Sequence, residues 1–550
     1  MTATPSYEER CAAKRAQQLS SIPPEWRLKH VPSAESVPDA LNYIRGLLTP
    51  HELALTEVTN ITVHLQDLAS GKLTSEELTK AFAKRAAFAH QLTTCCTEIF
   101  FEAAFATARA LDEHLAKTGS PVGPLHGLPV SVKDSLRVKG VDTSVGWVAL
   151  TNKPSEVDGK ETRALRRLGA VLYTKTNVPQ SLMMSDSYNH VFGQCVNSLN
   201  RRLISGGSSG GESSLISSKG SILGIGTDIG GSVRIPASLC GIYGLCPSVG
   251  RQPFDRQGMS SARQDLVRPV AGPMATSLET IEIYMKSLQK ASAWEFDPEQ
   301  VPLPWGLRRP STQGNHFKIG FVLDDGVVKV QPPIARAIRE VVEALRAGGH
   351  EVFEWDASSH KNAYKLWEKC ILSGGGETCR KMCEMSGEPL IEGMLVGTPS
   401  DLLTTAQTHQ LVSEKYDFES MYLERWTESN VDAVIMPVTP WVGYSPRTWV
   451  KSHQYVGYTS IWNFLDYAAL AMPVTTATKS EDAPILHQDW MQHTPRNKSD
   501  SFNHAQYDIN LVEGMPVGMQ VVGGRFGEEK CIYVARAIEQ ALEKHGKRRV

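Results

Sequence analysis

The sequence predicts an α/β fold built on a largely parallel or mixed β-sheet. Three observations lead to this prediction: a helical N-terminal stretch, a central region of short apolar runs separated by glycine-rich turns, and a C-terminal half in which helix and strand patterns alternate. Alternation of strands with helices is typical of this fold class. A chain of 550 residues is long enough to build a large hydrophobic core.

The N-terminal stretch is predicted to be helical up to about residue 118. Thr74 can cap a helix, and Glu77 three residues later completes the pattern of a capping box. A second helix is predicted over residues 102–117, before a stretch rich in glycine and proline. We therefore divide the chain into residues 1–120, a helical segment packed on the core, and residues 121–550, one large α/β domain.

The central region contains short apolar runs that are predicted to be strands. They begin at Leu128, Ala170 and Ile222, and glycine-rich turns separate them. Glycine is needed where the backbone adopts positive φ or approaches a ligand closely. Because the flanking residues are apolar rather than Gly/Ser repeats, this glycine density indicates a site and not a linker.

The C-terminal half repeats a helix–glycine–strand pattern. Residues 480–510 are polar and are predicted to form a long surface loop. The predicted elements are strands at 317–322, 351–354, 431–437 and 517–523 and helices at 333–346 and 528–544.

Composition and charge argue against several functional classes. A net charge of -2 and a pI near 6.8 give no electrostatic footprint for nucleic acid. The N-terminus lacks the apolar core of a secretory signal, and no run of 18 apolar residues is present. We expect a cytoplasmic protein without a membrane anchor, whose ten cysteines are reduced.

The cysteines suggest no metal centre. Cys95 and Cys96 are adjacent in a helix-like stretch, and Cys379 and Cys383 are one helical turn apart. A zinc site at the second pair would need two further ligands, which the sequence does not provide nearby.

Three segments of the central region combine glycine with residues that can do chemistry. A lysine ends the first segment, and serines stand among the glycines of the other two: Gly123-Pro-Leu-His-Gly-Leu-Pro-Val-Ser-Val-Lys133-Asp134, Ser205-Gly-Gly-Ser208-Ser209-Gly-Gly-Glu-Ser, and Gly224-Ile-Gly-Thr-Asp228-Ile229-Gly230-Gly231-Ser232-Val-Arg234-Ile-Pro236.

Common glycine motifs fit these segments poorly. The run from Gly224 to Gly230 has one residue too many for a dinucleotide fingerprint, and no Gly-Lys-Ser/Thr of a phosphate-binding loop is present. Residues 206–210 match the Gly-x-Ser-x-Gly pattern of α/β-hydrolases. The preceding residues 197–205 are polar and basic, however, and not the buried strand that this motif requires.

The same segments resemble the amidase-signature family. Lys133, Ser208 and Ser232 are separated by 75 residues (133 to 208) and 24 residues (208 to 232), in flanking sequences similar to that family. The resemblance covers nearly the whole chain and is greatest to the fungal acetamidase or general amidase branch. It extends to Ile22-Pro-Pro-Glu-Trp, Pro124-Leu-His-Gly-Leu-Pro, Val178-Pro-Gln-Ser and Gly514-Met-Pro-Val-Gly-Met-Gln.

The resemblance implies a fold and a chemistry. The family has a twisted mixed β-sheet covered by helices on both faces, and it needs no metal or organic cofactor. Lys133 would accept a proton from Ser208, whose preceding peptide bond is cis in the family, and Ser208 would accept one from Ser232. Ser232 would then attack an amide carbonyl and form an acyl-enzyme. Lysine can act as this base only when it is neutral, a state that burial favours.

The remaining site residues also follow from the resemblance. The N–H groups of Ile229, Gly230, Gly231 and Ser232 would bind the oxyanion. The resemblance also places Ser208 beside the substrate, and Leu182 would line the acyl pocket.

Supporting roles are predicted for residues around this site. Ser209 would hydrogen-bond Lys133, while Asp228 and Arg234 would brace the loop that carries the nucleophile. The aromatic residues Tyr188, Trp147 and Trp441 could shape the pocket, although aromatic side chains fill cores more often than sites.

We predict that the chain cleaves a small, acetamide-like carboxylic amide to the acid and ammonia. Larger acyl or aryl amides, of the fatty-acid amide or indole-acetamide type, would use the same relay. An amidotransferase subunit and a non-catalytic relative of the amidases are further alternatives. The expected partner is a small-molecule amide, and the N-terminal segment either wraps the outside or forms a homodimer interface.

Overall fold

The fold is organised around one large sheet. The computed structural model describes residues 5–256, 265–307, 316–451 and 454–547. The strands within these ranges are β1 (Cys96–Ile99), β2 (Pro129–Lys133), β3 (Val171–Thr176), β4 (Tyr188–Asn189), β5 (Gly193–Gln194), β6 (Leu223–Asp228), β7 (Tyr243–Cys246), β8 (Val270–Ala275), β9 (Lys318–Phe321), β10 (Glu351–Glu354), β11 (Ala433–Pro437), β12 (Ala468–Thr476) and β13 (Pro516–Gly524).

Eleven of these strands form a mixed sheet in the order β1-β3-β2-β6-β8-β7-β12-β13-β11-β9-β10, and β4 pairs with β5 separately. The pairs β3–β2, β2–β6, β11–β9 and β9–β10 are parallel, and the other neighbours are antiparallel. Every residue of β2, β3, β6, β7, β8, β11 and β13 is buried, as expected for a sheet covered on both faces. The predicted α/β class is confirmed.

Helices flank this sheet. The α-helices of the described residues are α1 (Tyr7–Ser20), α2 (Ala40–Arg45), α3 (Pro50–Thr56), α4 (Ile61–Ala69), α5 (Ser75–Thr93), α6 (Phe101–Thr118), α7 (Lys160–Arg167), α8 (Gly210–Ser217), α9 (Arg234–Leu239), α10 (Leu278–Ser287), α11 (Pro332–Ala347), α12 (His360–Leu372), α13 (Glu377–Ser386), α14 (Thr405–Glu428), α15 (Gly457–Phe464), α16 (Lys479–Asp482), α17 (Gln488–Met491), α18 (Lys498–Gln506), α19 (Ile509–Val512) and α20 (Glu528–Lys544). None of the helices in the described ranges combines the length and the apolar character needed to cross a bilayer.

The N-terminal segment is not purely helical. Thr74 caps α5 as predicted, because its side chain accepts a hydrogen bond from the Glu77 N–H at 3.1 Å. The Glu77 carboxylate, however, lies 2.6 Å from His51 Nε2 and does not complete the predicted capping box. The prediction for Cys95 and Cys96 was wrong: α5 ends before them, and Cys96 begins β1, which pairs with β3 of the main sheet. The segment thus contributes an edge strand to the sheet, and a boundary at residue 120 stays a prediction.

The C-terminal half follows the predicted alternation of helices and strands. Helix α20 has the predicted bounds, and β9, β10, β11 and β13 lie within the predicted runs or extend them by one residue. The predicted loop over 480–510 was wrong, because α16 to α19 form short helices there. Asn497 and Asp508 cap two of these helices, and the side chain of each accepts a hydrogen bond from a backbone N–H. Asparagine and aspartate are common helix caps, but in this polar stretch they were interpreted as loop residues.

The parallel strands β2 and β6 position the site. They are neighbours, with Ser131 opposite Gly224 and Val132 opposite Ile225. The carboxyl ends of parallel neighbours lie at the same edge of a sheet, where ligands bind in α/β folds. Lys133 ends β2 and Asp228 ends β6, so the first and third segments meet at this edge.

Candidate active site

The three segments bring a lysine and two serines, Lys133, Ser208 and Ser232, to one region of the structure. Lys133 Nζ lies 2.8 Å from Ser208 Oγ and 2.7 Å from Thr227 Oγ1. The peptide bond between Gly207 and Ser208 is cis, as the resemblance implied. The Ser209 N–H donates to the Ser232 carbonyl at 3.1 Å, which ties the second segment to the third.

The environment of Lys133 favours the neutral amine. The side chain is completely buried, and this burial lowers the pKa of Lys133 to about 7, against the opposing influence of the carboxylates of Asp228, Glu212 and Asp134. A neutral amine can donate to Thr227 while its lone pair accepts from the Ser208 hydroxyl. Lys133 therefore contacts Ser208 directly, and a pKa of about 7 makes part of the amine neutral near pH 7, so it can act as a base for Ser208.

Glu212 is a second buried ionisable group beside the cluster. Burial raises the pKa of Glu212 to about 7, although hydrogen bonds from Ser131 and Thr176 oppose the shift. Thr176 Oγ1 lies 2.6 Å from Glu212 Oε2, and Ser131 donates to the other carboxyl oxygen. Glu212 belongs to the second segment, but its influence on the pKa of Lys133 was not predicted.

Ser208 and Ser232 line the same cavity. Their hydroxyls are not hydrogen-bonded to each other in the described structure, whereas Ser208 is bonded to Lys133. Catalytic hydrogen bonds in unliganded sites are often long and tighten only when substrate binds.

Asp228 braces the loop that carries Ser232. Its carboxylate accepts hydrogen bonds from the N–H groups of Gly231, at 2.7 Å, and Val233, at 3.0 Å. It also forms an ion pair of 3.0 Å with Arg234. Burial alone would raise its pKa, but the charge of Arg234 and these hydrogen bonds lower the pKa of Asp228 to about 2. The carboxylate is therefore ionised throughout the physiological pH range.

Arg234 connects this brace to the C-terminal half. The guanidinium is completely buried and donates to Thr459 O and Gln520 Oε1, each at 3.0 Å, and to Asn463 Oδ1 at 2.6 Å. The Asn463 amide in turn donates to Asp228 at 2.8 Å. The predicted bracing contacts of Asp228 and Arg234 are thus present, and they extend over more than 280 residues of sequence.

Two further contacts fix the direction of the loop peptides. Trp367 Nε1 donates to the Ile229 carbonyl at 3.0 Å, and Thr459 Oγ1 donates to the Gly230 carbonyl at 2.5 Å. A trans peptide points its N–H away from its carbonyl, so holding the Ile229 carbonyl directs the Gly230 N–H the opposite way. The Gly231 N–H, predicted to bind the oxyanion, instead donates to Asp228, so the N–H groups of Ile229, Gly230 and Ser232 are left as candidate donors.

Glycine is required in this loop for two different reasons. Gly231 has φ +125°, a region that other residues rarely adopt, and a Cβ there would lie 2.3 Å from Thr459 Oγ1. A Cβ at Gly230 would lie 2.5 Å from the ring of Trp367. The two glycines therefore let Trp367 and Thr459 approach the backbone closely.

Two adjoining pockets meet at Ser232. The small pocket, of about 40 Å³, is lined by Leu182, Met183, Met184, Ser185, Gly207, Ile229, Gly230, Ser232, Ile235, Trp367, Leu395, Gln454 and Val456. The large pocket, of about 290 Å³, is lined by Ser181, Leu182, Met183, Ser208, Thr227, Asp228, Ile229, Ser232, Pro269, Ile371, Ser373, Gly374, Gly376, Glu377, Thr378, Cys379, Leu395, Val396, Gly397 and Leu402.

Some predicted contacts are found and others are not. Leu182 lines both pockets. The predicted hydrogen bond between Ser209 and Lys133 is not found. The Ser209 hydroxyl instead donates to the Thr227 carbonyl and accepts from the Thr227 N–H, each at 3.3 Å. Ser209 therefore contacts the residue that in turn contacts Lys133. The aromatic residues that could have shaped the pocket line neither of the two pockets; they are Tyr188, Trp147 and Trp441. The tryptophan of the site is Trp367, which no local pattern distinguished from a core residue.

No cluster of three or more His, Cys, Asp or Glu side chains suited to a metal ion occurs in the described ranges. Cys379 lines the large pocket, and Cys383 is half-buried one turn further along α13. Burial raises the pKa of Cys379 to about 11, so this thiol stays protonated at neutral pH.

Comparisons with known proteins identify relatives of this chain. The amidase family model matches residues 77–532. Acetamidase of Emericella nidulans is 37% identical over 550 aligned residues, which cover 98% of each chain, and acetamidase of Aspergillus oryzae is 36% identical over 98% of this chain and 99% of its own. Among solved structures, a fatty acid amide hydrolase superimposes with a TM-score of 0.90 at 32% identity, over 97% of this chain and 94% of its own.

The fold and these relatives define an amide-hydrolysing enzyme. The chain belongs to the amidase family.

Proposed function

We propose that the chain hydrolyses a small carboxylic amide, of the size of acetamide, through a Ser-Ser-Lys relay and an acyl-enzyme on Ser232. The observation that carries this proposal is the 2.8 Å contact between Ser208 Oγ and a buried Lys133 whose pKa is lowered to about 7, in a cavity that Ser232 also lines. Ser232 is the serine at which both pockets and the oxyanion loop meet.

In the acylation step, Lys133 accepts the Ser208 proton while Ser208 accepts that of Ser232. The Ser232 oxygen then bonds to the amide carbon, and the N–H groups of Ile229, Gly230 and Ser232 stabilise the oxyanion. The C–N bond breaks as Ser208 gives a proton to the leaving nitrogen and regains one from the Lys133 ammonium, and the nitrogen departs as ammonia or an amine.

In the deacylation step, a water molecule takes the place of the amine. Ser208 accepts a proton from this water and passes its own to Lys133, and the hydroxide bonds to the acyl carbon. The Ser232–acyl bond then breaks, Ser232 regains its proton from Ser208, Ser208 regains one from the Lys133 ammonium, and the carboxylic acid is released. Each atom of the relay returns to its starting state, so no redox group is needed.

A larger acyl or aryl amide is the second candidate, since the large pocket of about 290 Å³ exceeds what acetamide would fill. The amidotransferase alternative finds less support. An amidotransferase subunit that takes ammonia from glutamine would bind an α-carboxylate, for which a cation is the usual partner. The described residues lining the two pockets include no lysine or arginine. A homodimer and a cytoplasmic location remain predictions.

A fluorophosphonate probe combined with an ammonia-release assay tests the proposal. We expect the purified chain to be labelled and to release ammonia from acetamide or propionamide, and Ser232→Ala to lose both properties. Ser238→Ala is the matched control, because Ser238 is a buried serine of α9 that lines neither pocket. Labelling of Ser232→Ala, or a folded wild type inert to amides and to the probe, would reject the relay.

A further inference from the structure

The two pockets that meet at Ser232 differ in volume, about 40 against about 290 Å³. They share Leu182, Met183, Ile229, Ser232 and Leu395, so a substrate bonded to Ser232 can extend into both. An amide has two halves, the acyl group and the amine. The structure therefore raises the question of which half each pocket receives.

The relay residues decide the orientation. Ser208, which returns the proton to the leaving nitrogen in the proposed mechanism, lines only the large pocket. Gly230, a donor to the oxyanion, lines only the small pocket. In the tetrahedral intermediate the nitrogen must face its proton donor. A substituent on that nitrogen then extends into the large pocket, and the acyl chain extends the other way.

We propose that the large pocket binds the amine half of an N-substituted amide and that the small pocket limits the acyl half to a few carbon atoms. This inference rests on the proposed relay. It extends the activity from primary amides, which release ammonia, to secondary amides of short carboxylic acids. The bond that breaks is the same C–N bond: the amine leaves with the proton from Ser208, and water supplies the second oxygen of the acid.

The lining of each pocket agrees with this assignment. A cavity needs roughly 10–15 Å³ to hold one water molecule. The small pocket of about 40 Å³ therefore has room for roughly three water-sized groups, which is the space of a short acyl chain. The large pocket combines apolar side chains such as Ile371 and Leu402 with the carboxylates of Asp228 and Glu377. An apolar amine suits this lining, whereas an amine half that carries a carboxylate is disfavoured.

A two-way substrate panel tests the assignment. One series lengthens the acyl group from acetamide to hexanamide, and the other enlarges the amine from N-methylacetamide to N-benzylacetamide, whose alkylamine leaving groups are chemically similar. We expect kcat/KM to fall about tenfold or more per methylene beyond the capacity of the small pocket. N-benzylacetamide should be hydrolysed at least as efficiently as N-methylacetamide.

Matched variants separate the two pockets. Val456 lines only the small pocket and Ile371 only the large one, and both side chains are partly exposed. Val456→Phe should lower kcat/KM for butyramide relative to that for acetamide. It should leave the ratio of kcat/KM for N-benzylacetamide to that for N-methylacetamide unchanged. Ile371→Phe should lower the ratio of kcat/KM for N-benzylacetamide to that for N-methylacetamide about tenfold. It should leave the relative kcat/KM values within the acyl series unchanged. If either variant misfolds, Val456→Leu and Ile371→Leu provide milder versions of the same test.

The outcomes are distinguishable from those of the relay test. Preference for long acyl chains with rejection of N-benzylacetamide would overturn the assignment while leaving the relay intact. The same holds if both variants change both series alike. A wild type that neither reacts with the fluorophosphonate nor cleaves any amide would instead reject the relay on which the inference rests.

Discussion

The central region and the C-terminal half contribute to the site in different ways. Residues 121–251 supply the relay in three short segments, two of which include residues of the neighbouring parallel strands β2 and β6. The C-terminal half supplies contacts that hold the nucleophile loop and close the pockets, through residues separated from that loop by 138 to 286 positions. Reactive groups are thus concentrated in the sequence, whereas the shape of the site is assembled from remote parts of the chain.

This difference predicts two kinds of mutational response. Substitution of a reactive group in the central region should remove the chemical step. Substitution of a holding contact should change the position of that group and lower turnover by degrees. The following predictions are ordered by expected effect.

The largest effect is expected for Lys133→Met, which keeps the length of the side chain but removes the base. We expect kcat to fall about 1,000-fold or more, because loss of one relay member disables the unit. Single-turnover acyl transfer to Ser232, followed with a chromogenic ester or anilide, measures the loss directly.

Lys175→Met is the matched control for this variant. Lys175 is also a completely buried lysine, and burial lowers its pKa, but its ammonium donates to Asp142 O and Thr143 Oγ1 outside the relay. We expect it to cost stability while much of the turnover persists. Equal losses of turnover in the two variants, at equal stability, would show that a buried lysine matters here only for folding.

Asp228→Asn should have the next largest effect. The amide has the shape of the carboxylate but cannot accept from Gly231, Val233 and Arg234 at once, and it leaves the buried Arg234 without its charge partner. We expect kcat to fall about 100-fold, the usual effect of a displaced oxyanion donor, with a smaller change in KM. A variant that folds and keeps full kcat would remove the loop brace from the mechanism.

Much of the site was predictable because its chemistry is local in sequence. Lys133, Ser208 and Ser232 each lie in a glycine-rich segment that carries its own signal, and the structure brings the three segments to one edge of the sheet. Trp367 had no such signal. Its position in α12 fits a core residue equally well, and only the contact with the Ile229 carbonyl, 138 residues away, reveals its part in the site.

Two of the strands that the sequence did not predict contain residues that are unfavourable in strands. Val270–Ala275 contains glycine and proline, and Ala468–Thr476 contains three alanines and a proline. Both lie inside the sheet, where pairing on both edges stabilises the backbone. The burial of small residues at such positions is a tertiary effect that local propensity does not report.

The pH dependence sharpens the assignment of the base. The neutral amine of Lys133 is the active form, and its pKa is lowered to about 7, so activity is lost on the acid side. From pH 8 to pH 6 we expect kcat to fall about tenfold, because the neutral fraction falls by that factor. Initial rates across this range, with unfolding monitored in parallel, provide the measurement.

Glu212→Gln tests which group produces that profile. The pKa of Glu212 is raised to about 7, so both groups titrate in the same range and influence each other. Loss of this negative charge should lower the pKa of Lys133 and move the acid limb to lower pH. A rate that stays level down to about pH 5 in the wild type would contradict a lysine base.

The smallest effect is expected for Trp367→Phe, which tests whether a remote contact tunes the reactive loop. The variant keeps most of the ring but removes the Nε1–H that holds the Ile229 carbonyl at 3.0 Å. Loss of one such hydrogen bond, worth about 1 kcal/mol, should lower kcat about fivefold. Trp441→Phe is the control, because Trp441 is equally buried and its Nε1 finds no partner among the described residues. Equal effects of the two variants would mean that ring packing, and not the orientation of the Ile229 peptide, accounts for the change; a fall in kcat confined to Trp367→Phe would show that the C-terminal half acts on the chemical step through this bond.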